Sequence, residues 1–181
     1  MNICWVLADS AVLDPTQDLE QLKQIGPFWG SWKTWRAYST DNVICHDQIK
    51  ANELLARAFQ VTCNFYIPNQ VYEALDQPKG VQVYQGDFAH DVEHREQIVA
   101  MHLAASRSDI VLLLGFDLAR PDSHMPIERT HYRGLVSQVI KDNAQTQWVL
   151  IDHDNQLDPD LAKLPNLTQD TVSGVIGLLN S

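Results

Sequence analysis

Polar residues gather directly after the apolar runs of this chain. They are Asp9-Ser10, His46-Asp47, Pro68-Asn69, Gly86-Asp87, Gly115-Phe116-Asp117 and Asp152-His153-Asp154. Their types limit the chemistry available. Carboxylates accept hydrogen bonds from sugar hydroxyls or hold a cation, and an imidazole titrating near neutral pH can take a proton from a hydroxyl. Asp9, Ser10, Gly115, Asp117 and Asp152 are therefore the candidate ligand-binding residues, with His46 and His153 as candidate general bases. Asp, Asn and Gly also end strands and cap helices for conformational reasons alone. One tip by itself reads as a turn. A set of them brought to one edge reads as a site.

Other motifs exclude more than they assign. No G-x-G-x-x-G follows the first apolar run, and no G-x-x-x-x-G-K-[ST] occurs, so the usual dinucleotide and P-loop sites are not expected. His90 and His94 stand four apart, a spacing that a metal accepts on one helical face. Glu93 is misplaced for a zinc-protease motif, and no metal ligands are assigned. The sequence specifies no cofactor. Cys4, Cys45 and Cys63 match no zinc spacing and read as small buried hydrophobes in a reducing compartment. Asn166-Leu167-Thr168 matches a glycosylation acceptor, which means nothing without secretion. Trp29, Trp32 and Trp35 recur at intervals of three around Gly30, as one side of a short helix or as a structured loop. They could stack on a base, join two copies as a homodimer, or be buried as a satellite core.

Stepping polar tips need strands beneath them. Ile110–Leu114 is uniformly aliphatic between Asp109 and Gly115, the mark of a strand covered on both faces. Similar runs lie at 2–8, 42–45, 61–67, 81–84 and 147–151, separated by helical patterns at 48–59, 92–105 and 128–143, with a last helix over 171–179. Strands alternating with helices at crossover spacing predict an α/β fold: a three-layer Rossmann-like sandwich with a mainly parallel six-stranded sheet. In such a sheet the strand tips share the carboxyl edge, where ligands bind.

At 181 residues the chain fits one domain, residues 1–181, with enough length for a core of its own. The net charge of −10 argues against nucleic acid and anionic membrane as partners. No apolar stretch approaches a membrane span and no leader is visible at Met1-Asn2, so a cytoplasmic location is expected.

The portion from Ser108 through Gly115-Phe116-Asp117-Leu118 and Trp148–Asp152 to Asn166-Leu167-Thr168 resembles bacterial sialyltransferase-like proteins. It is also similar to the motility-accessory-factor and pterin-pyrophosphokinase-like family. Small proteins of this kind also occur in bacteriophages. The resemblance implies a Rossmann-like fold that binds a nucleotide-activated donor without a glycine fingerprint. The amino-terminal half departs from it: Asp9-Ser10 stands where those families carry a glycine-rich turn, and none of His124, His131 or His153 sits in a matching catalytic motif.

Three functions fit these residues. The first is nucleotide or nucleotide-sugar binding of glycosyltransferase type, with a small-molecule ligand on Asp9, Asp117 and Asp152 and with His46 or His153 as base. The second is a non-enzymatic interaction or oligomerisation module working through the tryptophans. The third is a divalent-metal-dependent hydrolase acting through the Asp and His tips.

Overall fold

The computed structural model describes residues 1–9, 11, 19–86, 95–118, 127–151 and 157–179. Its strands are β1 (Ile3–Leu7), β2 (Phe28–Ser31), β3 (Asn42–Ile44), β4 (Asn64–Pro68), β5 (Gln82–Tyr84), β6 (Ile110–Leu114), β7 (Gln147–Ile151) and β8 (Leu167–Asp170). They form one sheet in the order β5-β4-β3-β2-β1-β6-β7-β8, and every pair is parallel. The helices are α1 (Leu19–Ile25), α2 (Trp32–Tyr38), α3 (Gln48–Leu55), α4 (Asn69–Ala74), α5 (Arg95–Ala105), α6 (Ile127–Asp142) and α7 (Val172–Leu179). The α/β sandwich expected from the alternation is therefore the fold.

The aliphatic run Ile110–Leu114 lies between β1 and β7. It is in register with β1 along its whole length, from Ile3 opposite Ile110 to Leu7 opposite Leu114. Side chains alternate between the faces of a strand, so this pair feeds two cores at once. Cys4, Val6, Val111 and Leu113 pack with Ile98 and Met101 of α5 and with Val136 and Ile140 of α6. Trp5, Leu7, Leu112 and Leu114 pack on the other face with Leu22 of α1 and Val175 of α7. A third cluster joins Val43, Cys45, Phe65 and Ile67 to Leu54 of α3 and Val71 of α4. Burying each of these large side chains contributes ~1.5–3 kcal/mol.

From β1 the chain steps outward to β5 with α1 to α4 on one face. It then returns under α5, across the opposite face, to lay β6 on the far side of β1. Reversing the direction of travel while changing faces keeps the handedness of the crossovers constant. The return places the start of α5 at the carboxyl edge, above β1, β2 and β3, with which the helix packs.

Eight strands are described where six were expected, and two segments account for the difference. Phe28–Ser31 is a strand, followed at once by α2, so Trp29 and the pair Trp32/Trp35 belong to different elements. Gly30 sits in that strand because the place of a Cβ is filled by Thr34 Oγ1, 2.2 Å away. Leu167–Asp170 is an edge strand carrying one large apolar residue, too little for a hydrophobic pattern. Asn166, just before it, is no glycan acceptor. Its buried Nδ2 donates to Ile140 O (3.1 Å), Asn143 O (3.3 Å) and Thr146 O (3.1 Å), tying off the end of α6.

Candidate functional site

His46 follows β3 on the carboxyl edge and is held from three sides. Its backbone N–H donates to Glu96 Oε1 (2.9 Å), in the first turn of α5. Its ring lies between Tyr84 at the tip of β5 and the Arg95 guanidinium. Arginine can only donate, so Nε2 must accept from Arg95 Nη1. The ring proton then sits on Nδ1, which donates to Tyr84 Oη at 2.9 Å. The hydrogen-bond network thus specifies a neutral imidazole in one tautomer. Burial pushes the Tyr84 phenol upward, and the charge on Glu96 adds to this, so it remains a phenol at neutral pH.

Among the described acids of the edge, Glu96 is the most perturbed. Burial raises its carboxyl to about 7, and the neighbouring negative charge of Asp9 acts in the same sense. The His46 N–H and the Lys33 ammonium oppose them. Near neutral pH Glu96 exchanges a proton, which suits either donating or accepting one.

A cleft of about 390 Å³ opens beside this group, lined by His46, Asn69, Gln70, Tyr84, Gly86 and Arg95. It occupies the tips of β3, β4 and β5. Arg95 Nε is buried there without a hydrogen-bond partner. A buried donor left unsatisfied costs ~1–3 kcal/mol, and a shift of the guanidinium onto an acceptor held in the cleft would remove that cost.

The other residues expected at the edge have different outcomes. Asp9 follows β1 and accepts from Ser31 Oγ, with Lys33 Nζ 3.3 Å away. Ser31 also caps α2 by accepting from Lys33 N and Thr34 N, so Asp9 is bound into the start of that helix. Asp117 faces the nearly buried Arg133 of α6, whose Nη2 lies 3.8 Å from its carboxylate. The same guanidinium reaches Asp158 at 3.3 Å, so Asp117 joins a tether between the β6 tip, α6 and the chain after β7. Gly115 has φ +78°, and a Cβ there would stand 2.3 Å from Ala11 Cα. The room it provides at the β1/β6 switch point is taken by the chain itself, where Ala11 N also donates to Ala8 O. Ser10, Asp152 and His153 lie outside the described residues, as do Asp87, His90, His94 and His124.

His46 is thus the expected base that lies against the cleft, whereas Arg95, Glu96 and Tyr84 were not singled out from sequence. Their one local signal is a charged pair opening the helix that follows the β5 tip. Asp47 serves as the N-cap of α3, accepting from Lys50 N at 2.6 Å. Among the described residues, no group of three or more His, Cys, Asp or Glu could hold a metal ion. No described helix is long and apolar enough to cross a membrane.

The tryptophans point to two faces. Trp29 is buried in the α5/α6 core, tilted against Tyr66 at 5.3 Å. Trp32 and Trp35 pack on the opposite face, Trp35 edge-on to Phe59 at 4.6 Å and Trp32 beneath Lys50 Nζ at 4.5 Å. A contact between copies through this segment would use Trp32 and Trp35.

No family model, curated protein or solved structure matches this chain.

Proposed function

We propose that this protein binds a phosphorylated small molecule, a nucleotide or nucleotide-sugar, in the cleft above β3, β4 and β5. The observation that carries the reading is Arg95, whose guanidinium lines the cleft with a buried and unpartnered Nε. Arginine pairs with phosphate oxygens through two parallel N–H bonds, and surroundings poor in water strengthen them. A positive group set in a chain of net charge −10 favours an anion locally rather than a polyanionic backbone. The cleft volume of about 390 Å³ lies inside the ~300–1,000 Å³ range of small-molecule sites. Asn69 and Gln70 supply hydrogen bonds for sugar hydroxyls. The position on the carboxyl edge is where sheets of this kind bind ligands. In a transferase, His46 is the base for an acceptor hydroxyl. The three free cysteines suit a reducing cytoplasm.

Thermal unfolding with UDP, CMP, inorganic phosphate and uridine tests the proposal. The phosphate-bearing probes are expected to raise the midpoint by mass action and uridine to leave it unchanged. Arg95→Gln should fold and lose the response. Absence of any shift at millimolar probe concentrations would overturn the reading.

A further inference from the structure

Arg95 makes an incomplete set of hydrogen bonds in its observed arrangement. Its Nη1 is committed to His46 Nε2, while its Nε is buried with no acceptor. A guanidinium offers five donors in a rigid plane, and a phosphate oxygen is a stronger acceptor for them than a neutral imidazole. His46, by contrast, is anchored independently of Arg95. Its backbone is fixed by Glu96 and its Nδ1–H by Tyr84. Moving Arg95 would therefore leave the imidazole in place.

We infer that Arg95 has two alternative partners and exchanges His46 Nε2 for the phosphate of a bound ligand, so that the imidazole loses its blocking donor only when the cleft is filled. This rests on the phosphate-binding reading above. It makes His46 a base whose availability is regulated by the ligand, and Arg95 the residue that couples the two. Tyr84 is a positioning residue: its hydroxyl on Nδ1 keeps the other ring nitrogen, Nε2, turned toward Arg95.

Nitrogen-15 spectra of selectively histidine-labelled protein at about pH 7.5 test this, with His46 assigned through the loss of its signals in His46→Gln. In the free wild type, Nδ1 should carry the proton and Nε2 should resonate as a hydrogen-bonded acceptor. Arg95→Gln should move Nε2 downfield, as expected for loss of a donor, and so should saturation of the wild type with UDP. Arg95→Met, which has no donor, is the second variant should Arg95→Gln fold poorly. Tyr84→Phe should shift the Nδ1 resonance through loss of its hydrogen-bond partner, which a merely space-filling tyrosine would not do. The failures separate. If UDP raises the unfolding midpoint and Nε2 stays where it was, the ligand binds but Arg95 does not exchange, and the inference falls while the binding reading stands. An Nε2 signal indifferent to Arg95→Gln and Arg95→Met removes the Arg95–His46 pair itself. If UDP, CMP and inorganic phosphate all fail to bind, both readings fall together.

Discussion

Replacing Glu96 with Gln should stabilise the protein, and the gain should depend on pH in a defined direction. An unfolded glutamate releases its proton near 4.5, whereas Glu96 holds it to about 7 because burial penalises the carboxylate. Between those values the folded protein binds more protons than the unfolded chain, so the Glu96 contribution to stability falls as pH rises and is fully lost above about 7. At ~1.4 kcal/mol for each tenfold change in proton affinity, the ceiling is ~3 kcal/mol. Glu96 is only partly buried, and solvent relaxation brings the expectation to ~1–3 kcal/mol. Glutamine keeps an oxygen for the His46 N–H and removes the charge, so it escapes the penalty. Urea unfolding of both proteins from about pH 4.5 to 8.5 reads the difference directly, because other titrating groups largely cancel between them. The variant should match the wild type at the acid end and exceed it by ~1–3 kcal/mol at the alkaline end. That corresponds to a rise in thermal midpoint of ~2–12 °C for a domain of this size. A difference that is flat across the range would show that Glu96 ionises as an ordinary surface carboxylate. The site would then lack its neutral-pH acid.

Gly115→Ala should destabilise by more than the ~1–2 kcal/mol of a left-handed backbone, since the added methyl also meets Ala11; a variant with an unchanged urea midpoint would show that the chain after β1 does not cross the β6 tip. Trp35→Ser should lower stability by ~1–3 kcal/mol through loss of its partly buried ring and of its contact with Phe59. An unchanged unfolding midpoint together with a fall in sedimenting mass would instead place the indole between two copies of the chain.

The strongest elements of the sheet can be read from sequence because their cause is local. Ile110–Leu114 is apolar at every position, so it has to be covered on both faces wherever the chain puts it, and Leu113 is fully buried. The heavy polar content of the strand tips is local as well, and it points to the carboxyl edge. Phe28–Ser31 and Leu167–Asp170 hold no run of aliphatic residues for a strand pattern to show, and their places in the sheet follow from pairing with the strands beside them. The site depends on the return of α5 across the sheet. His46 meets Glu96 and Arg95 from 50 and 49 positions away, and no pattern within either segment encodes that approach. Protonation follows the same rule. A carboxyl that titrates near 7 and an imidazole locked in one tautomer arise from burial and from partners placed by tertiary contacts, whereas the sequence supplies only a glutamate, a histidine and their ordinary chemistry.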